Sequence, residues 1–145
     1  MADPYERQLV NRSFYQSKLP IRGKVTVVLR GLLENRSLNL IKPISRAFPA
    51  GTMIELIATD EEQAGPGGTV ERIAYIAFVE LLNGGVLLAG DRVLVAGVEV
   101  GVIAGFDDTH MPNHQNTVIS VSKRISGADL GITPGDDFLI PGFST

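Results

Sequence analysis

The feature that most constrains this chain is the way its apolar residues are parcelled out. Runs of Val, Ile and Leu are short, and Gly, Pro or an Asn-Gly pair interrupts them before a helix of ordinary length could form. Sixteen glycines and eight prolines do the interrupting. Short β-branched runs separated by turn residues are the pattern of a closed or nearly closed sheet. The expected fold class is therefore all-β, a small barrel or sandwich built from hairpins, with at most short helices.

The clearest passage is residues 88–121. Val93 and Val95 alternate with Leu94, and Val98, Val100 and Val102 alternate with Glu99, Gly101 and Ile103, which predicts two half-buried strands joined by a two-residue turn at Ala96-Gly97. The second strand is expected to run out at Phe106, because Asp107-Asp108-Thr109 brings turn chemistry and Pro112 has no amide for a sheet ladder. A new strand is expected from Thr117.

The remainder yields to the same reading. GKVTVVLR (23–30) reads as a strand, and residues 31–45 as a short helix or a broken strand ending at Pro43. TMIELIATD (52–60) is apolar on both faces, as a buried strand would be. EEQAGPGG (61–68) is the most loop-like stretch and a candidate mobile loop; it lacks the Lys-Ser/Thr of a phosphate loop. TVERIAYIAFVELL (69–82) reads as one long strand, Asn83-Gly84-Gly85 as a hairpin turn, and Phe138 to Ile140 as the last short strand. Glu80 is read as that long strand's exit to solvent, with a buried acid as the alternative, and Lys123-Arg124 as solvating a strand edge. Residues 1–20, with Tyr5, Leu9, Val10, Phe14 and Tyr15 as their large apolar groups, form an arm, a short helix or a frayed terminus before a β-barrel domain at 21–145.

Composition narrows the function classes. The chain has 145 residues, enough for one real core, and no cysteine, which excludes thiol redox chemistry, thiolate zinc sites and disulfides. Its 13 basic and 16 acidic residues are scattered, giving a net charge of -3 and no cluster of Lys and Arg with which to bind nucleic acid. MADPYERQLVNRSFYQSK lacks the apolar core of a signal peptide, and no apolar run is long enough for a membrane helix. A soluble, cytoplasmic protein without nucleic-acid or membrane partners is expected. Strand edges to cover and a polar arm suggest a homodimer formed by arm exchange or edge pairing.

The succession IAYIAFVELLNG, LAGDRVLVAGVEVGVIAG, a polar loop with NTVISV, and ITPGDDFLI resembles the glucitol/sorbitol-specific enzyme IIA component of the bacterial phosphotransferase system. The resemblance covers roughly the C-terminal half and implies a β-barrel fold. That family carries a phosphoacceptor histidine on the strand before the hairpin. At the matching positions this chain has Ala77 and Val79, neither of which can be phosphorylated, so the resemblance implies at most an accessory domain without the phosphoacceptor.

Site chemistry concentrates in the loop DDTHMPNHQN, 107–116, which holds both histidines of the chain. Asp107, Asp108, Thr109, His110, Asn113, His114 and Asn116 are the candidate ligand-binding residues. Asp107, Asp108, His110 and His114 offer carboxylate and imidazole ligands of the kind that suit a divalent metal such as zinc or manganese. Pro112 separates the histidines and argues against their presentation on one helix face. The plain alternative is a turn in which Asp107 and Asn113 bond their own backbone. The leading reading is a non-enzymatic binding or regulatory β-domain, for a small-molecule or protein ligand, with its site at this loop. Its rivals are a metal-dependent enzyme using the four Asp and His residues, and the phosphotransferase-related accessory domain.

Overall fold

The computed structural model describes residues 12–144; the part of the N-terminal arm that includes Tyr5, Leu9 and Val10 lies outside them. After a 3-10 turn at Arg12–Phe14 come β1 (Ser17–Lys18), β2 (Ile21–Val28), β3 (Leu32–Leu33), β4 (Leu38–Asn39), β5 (Ser45–Phe48), β6 (Met53–Thr59), β7 (Thr69–Val70), β8 (Ile73–Leu81), β9 (Gly85–Leu88), β10 (Arg92–Val95), β11 (Val98–Asp107) and β12 (Gln115–Ser120). One short helix, α1 (Gly127–Leu130), precedes β13 (Asp137–Ile140) and β14 (Phe143–Ser144).

Seven strands close into a barrel in the order β2-β13-β10-β11-β12-β6-β8, and β8 returns to pair with β2 through Gly23↔Leu81 to Val28↔Ala77. Every neighbouring pair is antiparallel except β12 and β6, which run parallel from Gln115↔Ile54 to Ser120↔Thr59. Because side chains alternate across a strand, Ile54, Leu56 and Ala58 of β6 enter the main core with Val25, Val79, Ile103, Ile119 and Phe138. Ile57, from the opposite face, joins a second cluster with Leu38, Leu40, Val70 and Val118. The two-stranded ribbon of β4 and β7 covers that outer patch. This explains why β6 is apolar on both faces. Ala77 and Val79 are both fully buried in the main core.

The hairpin turn forms at Ala96-Gly97 as expected, with Val95 paired to Val98. Both central residues have positive φ, 52° and 79°, which matches the right-handed twist of the flanking strands. Residues 31–45 are a broken strand rather than a helix.

Four expectations need correction. The strands around Asn83-Gly84-Gly85 do not form a hairpin: β9 pairs with β5, because the Asn83 side chain accepts from the Arg22 amide at 2.8 Å and donates to the Pro20 carbonyl at 3.0 Å, tying the turn to the start of β2 instead. The long strand predicted at 69–82 is interrupted at Glu71-Arg72, whose amides both donate to the Glu61 carboxylate at 2.7 and 2.6 Å. That same contact ties down one end of the 61–68 loop. The strand expected from Thr117 begins two residues earlier, at Gln115. Arg124 does not solvate an edge: its side chain is 7% exposed and bridges Glu34 at 2.9 Å and the Ile73 carbonyl at 3.1 Å.

Glu34 and neighbouring Asp60 also meet Arg72 at 3.0 and 3.3 Å. The Arg72 guanidinium beside Asp60 holds that carboxyl below the usual range. Among the described residues, no helix is long and apolar enough to cross a membrane.

Candidate functional site

The 107–116 loop leaves the end of β11 and returns as β12, so it sits on the outer wall of the barrel beside β6. Its first residue is an anchor. Asp107 is 2% exposed, and its carboxylate accepts from the amides of Asn39 (2.9 Å) and Thr109 (2.8 Å) and from the Asn116 side chain (3.1 Å). Burial alone would raise its pKa, but the hydrogen bonds from the Thr109 hydroxyl and amide, Asn116 and Asn39 outweigh burial and hold it below the ordinary carboxylate value. One side chain thus ties β4, β12 and the turn together.

Asp108 faces the other way. It is exposed, accepts from Gln115 Nε2 at 2.8 Å and pairs with Arg46 at 3.3 Å. Gln115 also donates to the Asp107 carbonyl at 2.7 Å. The buried atoms Gln115 Oε1, Asn116 Oδ1 and Thr117 Oγ1 find no hydrogen-bond partner among the described residues.

The loop then folds both histidines back over the barrel wall. His114 Nε2 lies 3.0 Å from Glu55 Oε1, and both side chains are about nine-tenths buried, with 10% and 9% exposure. The His114 ring stands edge-on to Phe78 at 5.0 Å and 81°. Glu55 and Phe78 are cross-strand partners on β6 and β8, so the sheet presents an acid and an aromatic ring side by side as a seat for this imidazole. His110, on the exposed side, stacks on His114 with centroids 5.0 Å apart and 27° between planes. Arg36, arriving from the segment before β4, places Nη2 3.3 Å from His110 Nε2 and its Nε 3.2 Å from the Tyr75 hydroxyl.

Each imidazole meets a donor at one nitrogen, which selects its tautomer when the ring is neutral. A guanidinium can only donate, so His110 Nε2 accepts and its proton sits on Nδ1. Asn113 Nδ2 lies 3.2 Å from His114 Nδ1. With the amide nitrogen donating, His114 carries its proton on Nε2 and gives it to Glu55. Polar contacts join Tyr75 and Arg36 to His110, and Glu55 to His114, and the stack of the two imidazoles connects these halves along the outside of the barrel.

The structure therefore sorts the residues singled out from sequence. His110 and His114 come together, with Asn113 beside them. Asp107, Thr109 and Asn116 form the anchor, and Asp108 leaves toward Arg46. Asp107 turns its oxygens to two backbone amides and the Asn116 side chain, and not to the imidazoles. Among the described residues no group of three or more Asp, Glu or His side chains is placed to hold a metal ion. Sequence reasoning missed Glu55, Arg36, Tyr75 and Phe78. Glu55 gave a signal, being the one charged residue within a strand otherwise apolar on both faces; Arg36 gave none.

No curated protein and no solved structure matches this chain. A family model does match over residues 15–140, which span every barrel strand and the whole 107–116 loop, and the chain accordingly belongs to a family of unknown function (DUF6917).

Proposed function

We propose that this chain is a small binding or regulatory β-barrel whose ligand site is the outer wall beneath the 107–116 loop, and that the ligand presents an anionic group there. The observation that carries this reading is the stacked pair His110 and His114, held between the Glu55 carboxylate and the Arg36 guanidinium. The only acid in this cluster is already matched by His114, whereas His110 is exposed and Arg36 is only partly covered, so the solvent side of the cluster offers donors. A rigid scaffold supporting a polar loop is a common way to present a binding site.

The chain has two histidines, so their ring signals in ¹H–¹³C and ¹H–¹⁵N spectra can be followed individually. Titration with inorganic phosphate or with succinate should move the His110 ring and the Arg36 Nε signal together and saturably, with a smaller change at His114. Arg36→Gln should abolish the effect. Ring signals that respond no more than they do to sodium chloride would overturn the proposal. Saturable changes on adding zinc but not on adding anions would replace it with a metal site.

A further inference from the structure

His110 meets Arg36 through a contact that only one protonation state of the ring permits. His110 Nε2 lies 3.3 Å from Arg36 Nη2, and a guanidinium has no acceptor to offer. The hydrogen bond therefore exists only while Nε2 keeps its lone pair, that is, while His110 is uncharged. A proton on that nitrogen would set two like-charged donors face to face.

The backbone of Arg36 is held in place. Its amide donates to the Glu71 carbonyl at 3.0 Å, and the next residue, Ser37, donates to the Glu71 carboxylate from its amide at 2.8 Å and from its hydroxyl at 3.1 Å. Ser37 sits at φ 53°, and among the described residues Ala96 is the only other non-glycine residue with a positive φ. Strained backbone of this kind gathers where a side chain has to be aimed. Arg36 Nε is fixed in turn on the Tyr75 hydroxyl at 3.2 Å. On the far side of His110 lies the His114 ring, held by Glu55 at one nitrogen and by Asn113 at the other.

The charges around His110 balance. Arg36, from the segment before β4, is positive, and Glu55 of β6, behind His114, is negative. Asp108 of the same turn is paired with Arg46, and the Glu71 carboxylate is turned to Ser37. An oxyanion seated between Arg36 and His110 takes the guanidinium's hydrogen bonds, so the Nε2 lone pair loses its donor and faces an oxygen. A proton there converts that repulsion into a charge-assisted hydrogen bond. With Nδ1 already protonated, it also makes the ring an imidazolium and offsets the charge that the anion brings. His114 is not placed to do this, because its side chain is 10% exposed and its Nδ1 accepts from Asn113.

We infer that anion binding at this cluster is coupled to the uptake of one proton from solvent by His110 Nε2, a regulation that rests on the anion site proposed above. Without the anion, His110 is a neutral acceptor for Arg36; with it, His110 is an imidazolium and both residues donate to the ligand. The affinity for a dianion consequently rises as pH falls, and by linkage the anion strengthens proton binding by the same factor.

Sulfate is the probe, because its charge is constant through neutrality. The ¹⁵N-labelled full chain is titrated at about pH 6.5 and about pH 8, at fixed ionic strength, and the two His110 ring nitrogens are followed. Sulfate should bind about tenfold more tightly at the lower pH. At a pH where His110 shows one protonated nitrogen before titration, saturation should produce the doubly protonated ring. Equal affinity at the two pH values, with the bound ring singly protonated and its proton merely moved from Nδ1 to Nε2, would overturn the coupling and leave the anion site standing. Proton uptake by His114 in place of His110 would also overturn it, as would a His110→Gln variant that kept the full pH dependence. No saturable response to sulfate at either pH would remove the anion site itself and the coupling with it.

Discussion

Asp107 and Asp108 are neighbours in sequence with opposite fates. Asp107 is buried and receives backbone and side-chain donors, whereas Asp108 holds Arg46 in solvent. Asp107→Asn should cost about 2–3 kcal/mol, because the amide cannot replace a charged acceptor for all its donors. Asp108→Asn should cost about 0.5 kcal/mol or less; chemical denaturation measures both. Since Asp107 is depressed below its ordinary value, its stabilisation is fully present above the unfolded carboxylate pKa of about 3.9 and is lost as pH falls through the lower folded value. The stability curve of Asp107→Asn should therefore be flatter than wild type at the acid end. The two histidines separate likewise. His114→Ala strands the buried Glu55 and should cost about 1–3 kcal/mol, against about 0.5 kcal/mol for exposed His110→Ala; equal melting temperatures for the two variants would contradict this geometry. Sequence proximity had grouped all four residues as one ligand set. It could not show that Asp107 faces the Asn39 amide, or that the partner of His114 comes from β6, because those contacts are made across the sheet.

Elements whose signal is local were legible, and those that depend on a distant side chain were not. The Ala96-Gly97 hairpin declares itself by alternation and a glycine, although Ala96 occupies a left-handed conformation that favours Asn or Gly. Ala96→Asn should stabilise the chain by about 0.5–1 kcal/mol, read as a shift in the denaturation midpoint at constant slope. No change in midpoint would mean the turn is not under that strain. The helix α1 also carried a local signal that went unread: Ser126 caps it by accepting from the Asp129 amide, and Gly131 ends it at φ 80°. Its placement depends on Gly127, where an added Cβ would lie 1.9 Å from the Ile76 carbonyl oxygen of β8. Gly127→Ala must displace the helix and should cost at least about 3 kcal/mol; a near-neutral result would show that α1 does not hold this position. By contrast, the break at Glu71-Arg72 and the failed hairpin at Asn83 are set by Glu61 and by the start of β2, which no window around those residues contains.

At the scale of the whole molecule, the all-β class follows from turn spacing, but closure does not. Nothing in the composition of β12 states that it lies parallel to β6, or that β8 returns to β2. The ends of the described chain are brought together in the same non-local way. β1 pairs with β14, and beneath them Asp91, whose side chain is 1% exposed, accepts from the Leu88 amide at 2.9 Å and meets Arg12 and Lys18 at 3.0 Å each. Lys18, 9% exposed, and Arg12 both lie against the Phe143 ring, at 5.8 and 5.0 Å from its centroid. A carboxylate this deep is tolerated only while its cations are present. Lys18→Met should therefore cost about 2–3 kcal/mol by leaving Asp91 half matched, and Asp91→Asn should cost a similar amount by leaving the lysine buried without a counter-charge. Together they remove both halves of the same pair, so the double variant should lose clearly less than the sum, with a coupling of about 1–2 kcal/mol in a denaturation cycle. Strict additivity would mean that Lys18 and Asp91 act separately and that strand pairing between β1 and β14, rather than the charge beneath it, holds the two ends of the barrel together.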